Sequence, residues 1–204
     1  MNLSRPINMS VVTDSVTATS WAKFHQMKAV FLDEQGVEHC QERCFVDRGN
    51  AASVLAYCLE KQSVLLVEQY RLPAYFNDPR DAVLLEVCGG MLNHGLSPEE
   101  TAEHEGREEL GVPLTQIEWV FSCYTGSGSV TEKFDCFLAR YSAEAVIPKT
   151  AGNVSEDERT VVREVTYAEV DQGIRSGDIC DARTIALFYI LMRALGVGMP
   201  ARRT

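Results

Sequence analysis

From residue 51 onward the chain moves between two hydrophobic rhythms. Short runs crowded with apolar and β-branched residues come first: "ASVLAYCL" (52–59), "SVLLVEQYR" (63–71) and "AVLLEVCGG" (82–90). The polar "EKQ" between the first two reads as a hairpin turn, and the third run ends on two glycines, so all three are predicted as strands. Then the rhythm changes. In "LSPEETAEHEGREELG" Ser97 stands where an N-cap belongs, Pro98 at the first helical position, Glu100 at the capping-box position and Gly111 where a left-handed residue stops a helix. Strand-like runs resume with "IEWVFSCY" (117–124) and "EKFDCFLARY" (132–141), joined by the Gly/Ser loop "TGSGSV", and with "TVVREVTY" after the polar "AGNVSEDER". Two helices follow, "AEVDQGIRSG" and "DARTIALFYILMRALG", the second apolar on most faces and therefore expected to be buried. Residues 1–48 hold only short β-like patches, such as "MKAVFLD" and "CQERCFVD", among polar turns. A β-rich body with one mid-chain helix and two later ones predicts an α+β or layered α/β/α fold, not a doubly wound parallel sheet.

Composition narrows the function classes. A chain of 204 residues, 46% hydrophobic and 24% charged, is long enough for one sizeable core plus a small appendage. Its formal net charge of -10, with no run of Lys or Arg, lacks the footprint of a nucleic-acid or anionic-membrane binder. The first residues contain no apolar secretory core, and the longest apolar run, "TIALFYILM", is about half a bilayer span, so neither secretion nor membrane insertion is expected. Seven cysteines, an odd number without a CxxC, read as free thiols in a reducing cytoplasm. Cys40 and Cys44 lie near His39, but no second ligand pair follows at zinc-finger spacing.

The negative charge is concentrated in the mid-chain helix, where five of the ten residues from Glu100 to Glu109 are glutamates. Successive helical residues turn by about 100°, which puts Glu105, Glu108 and Glu109 on one face within an arc of roughly 100°. Like charges at these spacings destabilise a helix unless a cation intervenes, and an all-oxygen carboxylate cluster suits a hard divalent ion. An acidic run of this kind also fits a plain solvated face. The surroundings favour the cation: a strand ending in Gly89-Gly90, a connecting loop, a capped helix and a closing Gly-Val form one continuous unit.

This unit resembles the signature of the Nudix hydrolase family, G-x5-E-x7-R-E-U-x-E-E-x-G-U with U apolar, laid without a gap on Gly90 to Val112. Gly90, Glu105, Glu108, Glu109, Gly111 and Val112 match. Leu96 replaces the first Glu, His104 the Arg, and Gly106 an apolar residue. In the family the first Glu and the Arg look like a structural ion pair, so their joint loss leaves neither charge unpartnered. Gly106 costs the helix about 0.5–1 kcal/mol against Ala, with closer packing as the compensation it allows. From about Ala51 to Leu195 the chain is similar to the ADP-ribose and nucleotide-sugar pyrophosphatase branch, which includes GDP-mannose and UDP-glucose pyrophosphatases.

The resemblance implies a Nudix-type α/β/α sandwich with a mixed sheet (49–204), preceded by a small β-rich extension (1–48) through which a homodimer would form. It implies that the Gly89 carbonyl and the carboxylates of Glu105, Glu108 and Glu109 hold Mg²⁺, or Mn²⁺ in its place, with Glu158 a further ligand. Glu156 would activate the attacking water, ahead of Glu158, although "SEDER" also suits a solvated acidic loop. Arg71 in "EQYR" would contact the substrate, and backbone N–H groups around Ser127 and Gly128 would help to bind it. The expected activity is hydrolysis of the diphosphate in GDP-mannose, UDP-glucose or ADP-ribose to a nucleoside monophosphate and a sugar phosphate. The alternative is a catalytically impaired Nudix-fold nucleotide-binding or regulatory module.

Overall fold

The computed structural model of the protein describes residues 7–92, 95–152 and 160–197. The chain forms two compact units, Met1–Asn50 with Tyr124–Lys133, and Ala51–Cys123 with Phe134–Thr204. The first holds an antiparallel sheet of β1 (Ile7–Thr19), β2 (Lys23–Leu32) and β3 (Glu38–Asp47). β2 and β3 stay in unbroken register from Lys23↔Asp47 to Leu32↔Glu38, while β1 shifts register three times against β2. The turn between β2 and β3 is held by the Asp33 carboxylate, which accepts the N–H groups of Gln35 and Val37, each at 2.9 Å. Arg48 packs over the Trp21 ring and pairs with Glu132 at 3.2 Å.

The second unit is built on β4 (Ala51–Cys58) and β5 (Ser63–Tyr70), the predicted hairpin. Its sheet runs β10 (Thr150–Ala151), β11 (Thr160–Thr166), β5, β4, β9 (Lys133–Arg140), β8 (Thr115–Tyr124). β4 is antiparallel to β5 but parallel to β9, which makes the sheet mixed. Alternation along the two central strands feeds two separate cores. Val54, Leu65 and Val67 pack with Ala102 and Leu110 of α2 (Pro98–Glu109) and its end, whereas Leu55, Val64 and Leu66 pack with Val170 of α3 (Tyr167–Ser176) and with Leu187, Phe188 and Leu191 of α4 (Ala182–Ala194). The result is the three-layer α/β/α arrangement expected from the pattern. Each fully buried Leu or Phe contributes about 1.5–3 kcal/mol.

Residues 82–90, read as one strand, are two: β6 (Val83–Glu86) pairs with β5, and β7 (Cys88–Met91) crosses to β4. Val87 lies at the crossing and gives its N–H to the Thr184 hydroxyl at 2.9 Å instead of to a ladder partner. The sequence pattern also missed α1 (Leu72–Asn77) and the 3-10 turn Pro79–Asp81. Neither buries a residue, so neither leaves a hydrophobic period to detect.

Candidate active site

The site is organised by α2, and its local chemistry follows the sequence closely. The Ser97 hydroxyl accepts the Glu100 N–H at 3.2 Å, and the Glu100 carboxylate accepts the Ser97 N–H at 2.7 Å, a complete capping box with Pro98 in the first turn. Gly111 follows the helix at φ 65, the left-handed conformation that glycine adopts without steric cost. Gly106, the unexpected helical glycine, is buried, and a Cβ there would overlap the Leu114 side chain. Its helix-propensity cost is the condition for that close approach.

Two of the three predicted carboxylates converge on the glycine end of β7. The Glu105 carboxylate packs against the Cα of Gly90, filling the space that a Cβ would need. Glu109, only 4% exposed, accepts the Gly89 N–H at 3.1 Å and the Gln69 side-chain amide at 2.5 Å. Glu108 is exposed, and its carboxylate lies 3.5 Å from His104, a pair one helical turn apart. His104 is itself largely exposed. Among the described residues no three His, Cys, Asp or Glu side chains are already assembled around a metal position. The donors of Glu105, Glu108 and Glu109 and the neighbouring Gly89 carbonyl are nevertheless all oxygen, the chemistry that Mg²⁺ takes, and a metal retaining several waters does not need a preformed cage. The residues present therefore fit such an ion.

Glu156 and Glu158 lie outside the described residues. The residues flanking their segment are both tied to the last turn of α2: the Gly152 N–H donates to the Glu108 carbonyl at 3.0 Å and the Thr160 hydroxyl to the Glu109 carbonyl at 3.3 Å. Ser127 and Gly128 belong to the other compact unit, in a turn where the N–H groups of Ser129 and Val130 both return to the Gly126 carbonyl.

Arg71 caps α1 just beyond β5, two residues after Gln69. It donates Nε to the Glu86 carboxylate at 2.5 Å. Glu86 is 1% exposed, and its other oxygen accepts a bond from Arg183 at 2.6 Å. Arg183 also reaches Asp181 at 3.1 Å and the Ser53 hydroxyl at 3.3 Å, and its guanidinium stacks over Phe134. Burial alone would lower the pKa of Arg183, but the Asp181 and Glu86 carboxylates outweigh it and hold it above the ordinary value. Breaking such a buried pair from one side costs about 3–5 kcal/mol. Gln69, Glu86 and Arg183 were not singled out from the sequence. The signal available was a single charge inside an apolar run, Glu86 in "VLLEVC" and Arg183 at the start of "ARTIALF".

Cys88 lies directly before the glycines. Burial, reinforced by the Glu109 and Glu105 carboxylates, pushes its thiol pKa well up, so it stays a neutral thiol. A cleft of about 550 Å³ lined by Lys61, Gln62, Tyr167, Phe188, Tyr189 and Met192 contains none of the candidate residues.

A family model, the NUDIX domain, matches residues 47–188. This chain belongs to the Nudix family. Its relatives include a GDP-mannose pyrophosphatase of Yersinia enterocolitica, 34% identical over 89% of this chain and 93% of the relative, and one of Cronobacter sakazakii, 33% identical over 91% and 95%. A crystal structure of an ADP compounds hydrolase superposes with a TM-score of 0.69, covering 97% of this chain and all of the other at 16% identity, which supports the fold. The protein is thus an enzyme, a Nudix hydrolase acting on a phosphoanhydride, with the departures Leu96, His104 and Gly106 accommodated inside an intact Nudix fold. Among the described residues no helix is long and apolar enough to cross a membrane.

Proposed function

We propose that this Nudix enzyme hydrolyses the diphosphate of a nucleoside diphosphate sugar in a Mg²⁺-dependent reaction, with GDP-mannose the first substrate to test and UDP-glucose and ADP-ribose next. The observation that carries the reading is the meeting of Glu105 and Glu109 at Gly89-Gly90 of β7, with Gln69, two residues before Arg71 on β5, bonded to the same Glu109 carboxylate. Two relatives bearing the name GDP-mannose pyrophosphatase over almost their whole length favour that sugar nucleotide.

Glu105, Glu108, Glu109 and the Gly89 carbonyl would hold the ion, with Glu158 as a further ligand. Mg²⁺ bound there would supply charge neutralisation for the diphosphate, and Mn²⁺ would substitute. Gln69 and the Gly89 N–H fix the Glu109 carboxylate in one orientation. Arg71 offers a partly exposed guanidinium to a phosphate oxygen or the terminal sugar. Glu156 takes the proton from the attacking water, with Glu158 second in line. The anchoring of Gly152 and Thr160 on the last turn of α2 supports a base from that segment.

All seven cysteines are free, which supports a reducing, cytoplasmic setting. Met9, Val11, Val12 and Val16 of β1 are each about half exposed in a single copy, which supports a homodimer through the N-terminal sheet. A solution mass of 22.7 kDa would overturn the dimer.

The test is a panel of sugar nucleotides with Mg²⁺, the released sugar phosphate and nucleoside monophosphate being followed through a coupled phosphatase. GDP-mannose should give the highest kcat/KM. Binding without turnover by any member would support the impaired regulatory module instead.

A further inference from the structure

Glu86 is placed where a carboxylate is expensive, at the buried end of β6 with 1% exposure, and is compensated by arginines from two separate elements. If its task were only to neutralise buried Arg183, one partner would suffice, since Asp181 already pairs with that guanidinium. The second partner is different in kind. Arg71 is 41% exposed on its side chain, and among the described residues its side chain forms an ion pair with Glu86 alone. The contact uses Nε, which leaves the two terminal amino groups of the fork available for a bidentate bond to an oxyanion.

We propose that Glu86 is a positioning residue for the pyrophosphatase reaction: it orients the Arg71 guanidinium toward the substrate, and Arg183 is the buried counter-charge that holds Glu86 in place. This rests on the proposed contact of Arg71 with the substrate. An unheld arginine at that strand end would lose rotamer entropy on every binding event, and Glu86 removes that loss in advance. Arg183 is fixed in turn by Asp181, Ser53 and the Phe134 ring, so the alignment is built from β6, β4, β9 and α4 together.

The test compares R71A, E86Q, the R71A/E86Q double variant and E86Q/R183M, measuring kcat and KM with the best substrate of the panel, Kd for ADP, and Tm. R71A should raise KM and Kd by roughly 10- to 100-fold, the equivalent of one charge-assisted hydrogen bond. E86Q should reproduce that pattern with a smaller change in kcat, and the double variant should be no worse than R71A, because Glu86 acts through Arg71. In E86Q/R183M both members of the Glu86–Arg183 pair are replaced while Asp181 keeps its bonds to Thr184, and KM and Kd should stay raised because Arg71 is still unheld. E86D, which keeps the charge on a shorter stem, should fall between wild type and E86Q.

Multiplying losses in R71A/E86Q would overturn the proposal. So would a lowered Tm with wild-type KM in E86Q, or full recovery of KM in E86Q/R183M. A wild-type protein that turns over no sugar nucleotide would sink the pyrophosphatase reading alone. The Kd values for ADP would then still decide on Glu86: matched, non-additive weakening upholds it, and wild-type affinity in E86Q overturns it.

Discussion

Replacing Glu109 by Gln separates the structural from the catalytic use of one buried carboxylate. Both Glu109 oxygens accept hydrogen bonds, one from the Gly89 N–H at 3.1 Å and one from the Gln69 amide at 2.5 Å. A glutamine can keep its oxygen toward Gly89 and point its amide at Gln69, whose side chain then has only to flip and present its own oxygen. The two bonds persist but lose their charge. Bonds to charged groups contribute about 1.5–3 kcal/mol and neutral ones about 0.5–1.5, so E109Q should cost about 2 kcal/mol across the pair. At this chain length that corresponds to a Tm lower by about 4–8 °C. Turnover should fall much further. Groups that merely support a metal ligand cost about 10–100-fold when removed, and loss of the ligand itself should exceed that range. Q69A, which leaves the carboxylate but removes its support, should fall within it. Steady-state kinetics across a Mg²⁺ titration, beside thermal melts, reads both quantities. Wild-type turnover in E109Q at any Mg²⁺ concentration would refute the placement of the metal on this face of α2.

Gly106→Ala gains about 1 kcal/mol of helix propensity but drives a Cβ into Leu114, an overpacking penalty of about 1–3 kcal/mol, so melts should show a lower Tm. A higher Tm would show that Leu114 moves aside freely. With Ellman's reagent on the native protein, the exposed Cys40, Cys44 and Cys180 should react first, and buried Cys58, Cys88 and Cys136 only on unfolding, when all seven respond; early reaction of Cys88 would contradict its burial. The capping-box carboxylates Glu100 and Glu169 are held below their ordinary value of 4.5, the first by the Ser97 N–H and hydroxyl, the second by the Thr166 hydroxyl and N–H. A pKa depressed on folding contributes stability that is complete above the unfolded value and is lost as pH falls through the folded one. Tm should therefore hold from neutrality to about pH 5 and decline below, less steeply in E100Q/E169Q; parallel declines would exclude these two groups as a source.

What could be read from the sequence was whatever is governed by neighbours along the chain. Ser97, Pro98, Glu100 and Gly111 specify a helix from start to stop by local bonds alone, and the structure follows them. The continuous apolar runs 52–59 and 63–71 marked both central strands, because each side of that sheet is covered by helices. The break at Val87 was invisible, since it depends on a hydroxyl 97 positions away, at Thr184. The same holds for the bond between Gln69 and Glu109 and for the bridging of Arg71 and Arg183 by Glu86. These contacts join residues whose separate settings in the sequence are ordinary. The spacing of Glu105, Glu108 and Glu109 put them on one helical face, but only packing distinguishes the two that turn in toward β7 from Glu108, which turns out toward His104.

The acidic cluster occupies the wrong end of α2 for an unliganded helix. Aligned peptide dipoles leave a helix C-terminus partly negative, and Glu108 and Glu109 add full negative charges to that same last turn. The capping box at the opposite end, with Glu99 and Glu100 on the positive pole, anchors the helix against this repulsion. α2 is thus tightly tethered at its start and carries like charge at its finish, a repulsion that the proposed cation would relieve. Neutralising exposed Glu108 would ease that repulsion at the expense of the attraction proposed for the ion, whereas neutralising Glu109 would forfeit its charged bonds to Gly89 and Gln69.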